Sequence, residues 1–371
     1  MTATLLIILF LLIISTVIAV WLFTTYHPQF GGKIDQQELA KLSKSPQWNG
    51  KIFENQIETS MDIGPSKIPN LLWKQMFDRK GRSPKTPLPV IPFDQARWEV
   101  DTAPKFIWYG HSVLLLQLNG KTLLIDPMLG PNAAPVAPFQ VKRFSENTLS
   151  LIDQLPTLDA ILITHDHYDH LDLASIRKLQ DKTQHWFVAL GVQRHLVKWG
   201  IPSQYIHEFD WWDSLRFQNI DITFTPSRHF SGRGLKDRTK SLWGGFTLIT
   251  DKFKVYWNGD GGEGHHFKEI GEKLGPFDWA FMEDGQYNEL WHAIHMYPEE
   301  AVSAGIEAKA KVLTPVHWAG FPLALHHWKD PIKRFLKAAK KQGVDISTPR
   351  IGEIVEMKKI PKVLHWWEKF D

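Results

Sequence analysis

The chain has 371 residues, of which 43% are hydrophobic, so it can bury a substantial core and is not a disordered protein. Its formal net charge is only +3 and its lysines and arginines are scattered, which excludes a basic stripe of the kind that binds nucleic acid. The absence of cysteine excludes disulfides and thiolate ligands, so any bound metal must be held by nitrogen and oxygen atoms.

An apolar run opens the chain. Between Leu5 and Phe23 the only polar residues are one serine and one threonine, and no charged residue precedes Lys33. As a helix this run would be roughly 28 Å long, close to the thickness of the hydrocarbon layer of a bilayer. The alternative is a cleaved signal peptide, but the run exceeds the usual apolar region of such peptides and lacks their basic start. We therefore expect residues 1–26 to form a single-pass transmembrane anchor.

The charges that follow the anchor indicate its orientation. Several of them are lysines, namely Lys33, Lys41, Lys44 and Lys51. Because cytoplasmic flanks of membrane helices are enriched in lysine and arginine, this pattern favours a catalytic part on the cytoplasmic side.

A polar segment with many turn-forming residues comes next, over residues 27–100. It contains Gly31-Gly32 near its start and prolines at positions 84, 87, 89 and 92. This composition predicts a tether and wrapping arm rather than a second domain. The compact domain is then expected to occupy residues 101–371.

Short apolar runs bounded by turn residues predict ten strands in this domain. They are Lys105–Tyr109, Val113–Leu118, Lys121–Ile125, Asp159–Thr164, His185–Ala189, Ile220–Phe224, Phe246–Thr250, Lys254–Trp257, Trp279–Met282 and Val312–Thr314. Helical spacing or a proline start predicts helices at Leu171–Leu179, Pro298–Lys309 and Pro331–Lys341. Alternating strands and helices are compatible with a doubly wound parallel sheet, but the tight turn Asn119-Gly120 predicts an early hairpin and favours layered mixed sheets.

A cluster of histidine and aspartate directly follows the apolar strand that ends at Thr164. Its potential ligands are His165, His167, Asp169 and His170. Imidazole nitrogen combined with carboxylate oxygen suits zinc, with iron or manganese as alternatives, and one such turn can supply two ions. The competing interpretation is a loop of solvated polar residues. Four potential ligands at the end of a buried strand favour the metal site.

Three later strands are also followed at once by a potential ligand: His229, Asp260 and His317. Taken singly, each would most often be a surface group. Since all follow strands, they would gather with the first cluster at one edge of the sheets.

The motif His165-x-His167-x-Asp169-His170 after a strand resembles the signature of the metallo-β-lactamase superfamily. The surrounding residues resemble the branch that contains N-acyl-phosphatidylethanolamine-hydrolysing phospholipase D and bacterial relatives. They are Leu155-Pro156, Asp159-Ala160, His170-Leu171-Asp172, Trp108-Tyr109-Gly110-His111-Ser112, Asp126-Pro127, Lys142-Arg143-Phe144, Thr225-Pro226-Ser227-Arg228-His229, Trp257-Asn258-Gly259-Asp260 and Pro315-Val316-His317-Trp318.

The resemblance implies an α/β fold, the metallo-β-lactamase αβ/βα four-layer sandwich, which here would carry an N-terminal transmembrane helix. It also implies two Zn²⁺ ions. One would be held by His165, His167 and His229, the other by Asp169, His170 and His317, with Asp260 bridging both. Asp169 would in addition act in catalysis by orienting the water nucleophile.

For three further residues near this centre the sequence leaves two roles open. Asp126 is expected to orient a ligand or simply to cap a strand end, and His111 to face the metals or to pack at a strand end. By the resemblance, His295 lies at the active site, where it would contact phosphate or protonate the leaving oxygen; otherwise it is a helix-start histidine without chemistry. Glu283 and Asp284 would add negative charge near the mouth of the site. The remaining histidines nearby, at positions 265, 266, 326 and 327, are expected at the surface or rim.

The leading hypothesis is a membrane-anchored zinc phosphodiesterase of phospholipase D type that cleaves N-acyl-phosphatidylethanolamine or a related phospholipid. Its partners would be the lipid substrate and the membrane, and a homodimer is left open. The alternative enzyme is a lactonase or cyclic phosphodiesterase that acts on a soluble metabolite, for which a narrow polar pocket would be expected. The alternative of another class is a metal-free binding protein on the same fold, which would require lost ligands.

Overall fold

The computed structural model describes residues 2–134, 140–234, 236–359 and 363–370. Its helices are α1 (Thr2–Tyr26), α2 (Gln36–Leu42), α3 (Ile68–Phe77), α4 (Gln95–Glu99), α5 (Leu151–Gln154), α6 (Leu173–Leu179), α7 (Gln193–Lys198), α8 (His266–Lys273), α9 (Pro298–Glu307) and α10 (Asp330–Gln342). The strands of the first sheet are β1 (Lys105–Trp108), β2 (Leu114–Leu118), β3 (Lys121–Ile125), β4 (Leu158–Ile163), β5 (Thr183–Ala189), β6 (Ile206–Phe209) and, near the end of the chain, β14 (Ile354–Glu356). Those of the second sheet are β7 (Ser214–Phe217), β8 (Ile220–Thr225), β9 (Gly245–Ile249), β10 (Lys254–Trp257), β11 (Phe277–Glu283), β12 (Ala310–Val316) and β13 (Asp345–Ile346).

Two mixed sheets of seven strands each form the centre of the molecule, in the orders β14-β1-β2-β3-β4-β5-β6 and β13-β12-β11-β10-β9-β8-β7. Each sheet is antiparallel on one side and parallel on the other, with the change at β3 in the first sheet and at β10 in the second. The early hairpin predicted at Asn119-Gly120 is present between β2 and β3. The prediction of mixed rather than purely parallel sheets is therefore confirmed.

The inner faces of the two sheets pack on each other. The ring of Phe106 on β1 lies 5.5 Å from Trp279 and 4.8 Å from Phe281, both on β11, measured between ring centroids. Because the inner faces are occupied, the helices that connect parallel strands must cross the outer faces. A second apolar cluster joins the second sheet to α8, α9 and α10 through side chains such as Leu313 and Phe335. The result is the expected sandwich of two sheets with helices outside.

The helix α1 is long and apolar enough to cross a membrane by length and composition. Its large apolar side chains from Leu5 to Phe23 are exposed rather than buried against the protein. A signal sequence near the N-terminus would meet the same criteria, so the membrane role of α1 is taken up below as a proposal.

Residues 27–100 lie against the compact domain and contribute to its core. Leu42, Phe53, Leu88 and Trp98 are all buried. Main-chain hydrogen bonds join this segment to distant residues, for example from Phe53 N to Thr239 O (2.8 Å) and from Leu88 N to Phe144 O (2.9 Å).

Candidate metal centre and active site

The seven candidate ligands lie beyond the carboxyl ends of four strands, where one edge of each sheet meets the other. His165 and His167 directly follow β4, and Asp169 and His170 lie in the turn before α6. That turn ends at Asp172, whose carboxylate accepts a hydrogen bond from Ser175 N (2.8 Å) and so caps α6. The other candidates follow three strands of the second sheet that run in the same direction, His229 after β8, Asp260 after β10 and His317 after β12.

Three histidines form the first group of potential ligands. His167 Nδ1 lies 2.9 Å from His165 Nε2 and 3.2 Å from His229 Nε2. Tetrahedral zinc with bonds of about 2.1 Å to nitrogen places its ligand atoms roughly 3.4 Å apart. The spacing of the three nitrogens is therefore suitable for a single ion.

The second group contains Asp169, His170 and His317. His317 Nε2 lies 3.2 Å from Asp169 Oδ2 and 3.3 Å from His170 Nε2. Asp260 stands between the two groups, with Oδ2 3.0 Å from His317 Nε2, 3.1 Å from His170 Nε2 and 3.9 Å from His229 Nε2. This is the position expected of a bridging carboxylate.

The chemistry of these contacts fits a metal better than hydrogen bonds within the protein. His229 Nδ1 must carry the ring proton, because it lies 3.0 Å from the carbonyl oxygen of Ile294, which can only accept. His170 Nδ1 likewise donates to the carboxylate of Asp126 at 3.0 Å. In the neutral form of each imidazole, Nε2 then has a lone pair that faces other potential ligand atoms, and Asp260 Oδ1 is buried without a hydrogen-bond partner among the described residues. Acceptors that converge in this way fit a bound cation.

The electrostatics of the second group also favour positive charge. Burial lowers the pKa of His170, but the carboxylates of Asp260, Asp169 and Asp126 outweigh it and raise the pKa to about 10. Burial would raise the pKa of Asp260, yet His170 and His317 hold it well below its usual value. In the first group, burial lowers the pKa of His167 to about 4, so its imidazole is neutral and able to ligate at pH 7.

Asp126 links the end of β3 to the metal-binding turn. It accepts hydrogen bonds from Thr164 N and Thr164 Oγ1, each 2.8 Å long, and from His170 Nδ1. Asp126 therefore caps a strand end and also contacts a candidate ligand, so the two roles suggested by the sequence are compatible.

His111 contacts the second group through Asp169. Its Nε2 lies 2.9 Å from Asp169 Oδ2, and burial, followed by the nearby His317, lowers its pKa to about 3. A neutral imidazole that faces a carboxylate oxygen must donate, so His111 orients Asp169.

His295 lies beside the candidate centre, with its imidazole plane nearly parallel to that of His317 at a centroid distance of 5.4 Å. Its Nδ1 is 2.9 Å from Glu283 Oε1. Both Glu283 and Asp284 are fully buried, so neither carboxylate is exposed to solvent at the mouth of the cavity. Instead, Glu283 orients His295, while burial, with Glu283 next to it, raises the pKa of Asp284 well above its usual value and favours its neutral form.

The sequence analysis misplaced one residue, His266, and did not single out another, Asn55. His266 is buried in the second apolar cluster, beside Phe267, so its placement at the rim is wrong. Asn55, which the sequence did not single out, accepts a hydrogen bond from His229 N and donates one to His229 O (3.0 and 2.8 Å). Glu283, which the sequence indicated only as a nearby charge, ends a strand and so carries the same signal as the candidate ligands. Asn55 lies in the arm and carries no comparable signal.

A cavity of about 330 Å³ opens over the candidate ligands. One part of it is lined by residues of the candidate centre, namely His167, Asp169, Asp260, His295 and His317. The rest is mainly apolar and is formed by Met61, Ala133, Phe230, Trp291, Ile294 and Leu323, with Tyr168 and Gln286 as polar neighbours. The site therefore joins a charged reacting end to an apolar wall.

Comparison with known proteins agrees with this architecture. A protein-family model described as "Beta-lactamase superfamily domain" matches residues 121–318. The chain belongs to this family. Membership identifies it as a hydrolase of metallo-β-lactamase type, and the family fold implies binding of divalent metal.

Several relatives in this superfamily match nearly the whole chain. An uncharacterized protein of Mycobacterium tuberculosis is 32% identical over 354 residues, which cover 94% of each chain. N-acyl-phosphatidylethanolamine-hydrolyzing phospholipase D 1 of Caenorhabditis elegans is 30% identical over 346 residues, 87% of this chain and 96% of the relative.

Solved structures share the fold of this superfamily member. Igni18, a metallo hydrolase from Ignicoccus hospitalis, aligns with a TM-score of 0.53 at 22% identity and covers 68% of this chain and 98% of its own. The isothiocyanate hydrolase from Delia radicum gut bacteria aligns with a TM-score of 0.52 at 19% identity, with the same coverage. At these identities the likeness concerns the fold alone.

Proposed function

We propose that this protein is a membrane-anchored dinuclear zinc hydrolase that cleaves the phosphodiester of N-acyl-phosphatidylethanolamine or a closely related phospholipid. The observation that carries the proposal is the nearly full-length similarity to the worm phospholipase D. The convergence of the seven candidate ligands beneath a partly apolar cavity supports it.

The residues that line the cavity favour a lipid over a small polar metabolite. Phe230, Trp291 and Leu323 give it an apolar wall next to the carboxylates and histidines of the candidate centre. A phospholipid has the matching distribution, with a charged phosphodiester next to apolar chains. The lactonase or cyclic phosphodiesterase alternative was expected to have a narrow polar pocket, which this cavity does not resemble.

The surface of α3 supports a membrane location. Ile68, Leu72, Trp73, Met76 and Phe77 are all exposed, with between 41% and 62% of their surface accessible. On a helix these positions form one apolar stripe, because Leu72 and Met76 follow Ile68 at intervals of four residues and Trp73 and Phe77 lie next to them. Arg82 ties α3 to the loop that carries Leu323, since it donates to Gln75 Oε1 on α3 (2.7 Å) and to the carbonyl oxygens of Pro322 and Ala324 (both 2.9 Å). An apolar stripe attached to the wall of the cavity is suited to the surface of a bilayer.

The metal ions, when bound, would supply an activated water and stabilise the negative charge that builds on the phosphoryl oxygens. Asp169, held by His111, would orient that water towards phosphorus. The elements of water then add across the bond between phosphorus and the ethanolamine oxygen, which yields phosphatidic acid and N-acylethanolamine. His295, whose Nδ1 is held by Glu283, has Nε2 left to contact the phosphate or to protonate the departing oxygen.

The test is hydrolysis of N-acyl-phosphatidylethanolamine in mixed micelles by purified, zinc-loaded protein, with phosphatidic acid and N-acylethanolamine measured by mass spectrometry. We expect both products in equal amounts, and none from His229→Ala or Asp260→Ala protein that keeps its circular dichroism spectrum. If the phospholipid stays intact while a small lactone or cyclic phosphodiester is turned over efficiently, the lipid assignment is wrong and only the metallohydrolase remains.

A further inference from the structure

A second cavity, of about 670 Å³, lies at the end of α1 and is separate from the candidate active site. Its volume is within the range of about 300–1,000 Å³ that is usual for ligand sites. One part of its lining is apolar and comes from Val17, Val20 and Trp21 on α1 and from Phe30 and Ile34, which follow α1 in the chain. We call this space the anchor cavity.

The wall of the anchor cavity is fixed to the domain just after α1. Trp199 Nε1 donates to Pro28 O (2.8 Å), Arg233 Nε donates to Gln29 O (3.0 Å), and Gly32 N donates to His195 Nδ1 (3.2 Å). A side chain at position 32 would overlap the carbonyl oxygen of Arg194, so the segment fits closely at this point. These contacts make the anchor cavity part of the folded domain rather than a gap beside a loose helix.

Another part of the lining of the anchor cavity is cationic. Lys33, Lys236 and Lys240 line it, and within the described residues their ammonium groups have no ion-pair or hydrogen-bond partner. Arg194 also lies there but is already paired with Asp166, at 3.6 Å. The one carboxylate in the lining, Asp237, accepts hydrogen bonds from the main chain at Arg233 (3.2 Å) and Gly234 (2.6 Å). Three free ammonium groups therefore face one carboxylate that is already engaged.

Most of the apolar residues of the anchor cavity lie on α1, and Lys33 lies beyond the end of this helix in the chain. If the apolar run that ends near Phe23 lies in the hydrocarbon layer, the residues that follow α1 lie at the level of the lipid head groups. Trp21 and Tyr26 occupy the positions along the helix where aromatic residues favour the membrane interface. The apolar part would then be at the depth of the acyl chains and the lysines at the depth of the phosphates.

We propose that the anchor cavity binds one anionic phospholipid of the surrounding bilayer, with its phosphate among Lys33, Lys236 and Lys240 and its acyl chains against α1. The proposal rests on the membrane anchoring of α1 proposed above and is independent of the catalytic assignment. The bound lipid is not the substrate, because its site is formed by other residues than those of the active-site cavity.

The experiment uses the full-length protein in nanodiscs that contain phosphatidylcholine and phosphatidylglycerol, with retained lipid counted by native mass spectrometry. We expect one phosphatidylglycerol per chain. A lysine near a membrane surface attracts anionic lipid with about 1 kcal/mol, which is a factor of roughly five, so the triple variant Lys33→Gln, Lys236→Gln, Lys240→Gln should bind it about a hundredfold more weakly.

The matched control removes the same charge from exposed positions of α10, with Lys337→Gln, Lys340→Gln and Lys341→Gln, and should retain the lipid. Equal retention by wild type and the test variant, or equal loss in both triple variants, would overturn the proposal. Displacement of the lipid by soluble glycerol phosphate would also overturn it, because the site would then bind free anions. Extraction of the chain from membranes by carbonate would instead refute the anchor itself, whereas loss of hydrolysis alone would bear only on the proposed catalytic function.

Discussion

At the scale of single residues, Asp126 both fixes the end of a strand and orients a candidate ligand. Its three hydrogen bonds fix the main chain at Thr164 and the tautomer of His170 at the same time. Removing one negative charge here should therefore act on metal binding through His170, although Asp126 is not itself a proposed ligand.

We expect Asp126→Asn to weaken zinc binding or activity by about 10- to 100-fold, because the amide can present only one acceptor oxygen to three donors. Zinc affinity is measured by competition with a chelator, alongside the circular dichroism spectrum. Asp159→Asn is the control, since Asp159 on β4 likewise accepts a main-chain hydrogen bond, from Thr122 N (2.9 Å), but contacts no candidate ligand. Equal losses in both variants would show that the effect is a general one on the sheet.

His295→Ala should lower kcat for the phospholipid by about a hundredfold or more, the usual contribution of a general acid, while metal content is unchanged. The control is His292→Ala in the same short segment, whose imidazole pairs with Glu300 at the surface. Loss of metal from His295→Ala protein would contradict a role towards substrate and make His295 part of the ligand set.

His266 predicts a pH dependence of stability. Its burial lowers the pKa to about 3, whereas an unfolded chain takes up this proton near pH 6.5. Protonation thus favours the unfolded state, so the contribution of this residue to stability is lost as the pH falls from about 6.5 towards 3. His266→Gln should flatten the decline of the melting temperature over this range relative to wild type, and an unchanged slope would show that His266 charges freely in the fold.

The sequence could predict the candidate ligands because each directly follows an apolar strand, a pattern that is local. It could not predict their supporting contacts in the same way. The sequence indicated that Glu283 is a carboxylate near the site, but the burial of this side chain depends on packing that only the fold creates. His266 was misplaced for a related reason, since nothing in the residues next to it distinguishes a buried helix start from an exposed one.

At the scale of elements, the central strands were predicted to within a few residues and four strands were not. The missing ones are β6, β7, β13 and β14, which are the outermost strands of the two sheets. Edge strands are short and partly solvated, so they lack the continuous apolar run that identifies a buried strand. Moreover, β14 pairs with β1, about 250 residues away, a contact that no local pattern can indicate.

Deletion of residues 1–26 should release a soluble and active domain, because the candidate ligands lie beyond Thr164 and the domain has its own core. Deletion of residues 1–34 should in addition destabilise the protein, since three hydrogen bonds to Trp199, Arg233 and His195 are lost, at about 1 kcal/mol each. Sedimentation, activity and chemical denaturation of the two deletions provide the test. A full-length protein found in the soluble fraction, or a mature N-terminus beyond residue 26, would refute anchoring.

At the scale of the whole molecule, the candidate centre is built by both sheets together. The first sheet supplies the turn after β4, and the second supplies His229, Asp260 and His317. Because the apolar core between the sheets holds these edges in place, we expect the centre to form without the metal.

We therefore expect two divalent ions per chain by elemental analysis of active protein. Removing them with a chelator should abolish activity and lower the melting temperature, since metal bound only to the folded state stabilises it, while the circular dichroism spectrum is kept. A content of one ion or none, with no gain on adding Zn²⁺, would count against a dinuclear centre. Complete unfolding on chelation would make the metal structural.

The hydrogen bonds that hold residues 28–32 also set how far the enzyme can reach. Arg233 binds Gln29 O and, through Nη1, the main-chain oxygens of Asp166 (2.7 Å) and Leu171 (2.8 Å), so the stem of the anchor and the metal-binding turn share one side chain. For a chain anchored as proposed, this leaves no flexible linker, and the active site works at a constant height above the bilayer. Its turnover would then depend on the mole fraction of substrate in the plane of the membrane, and adding inert lipid at constant bulk substrate would slow it by surface dilution.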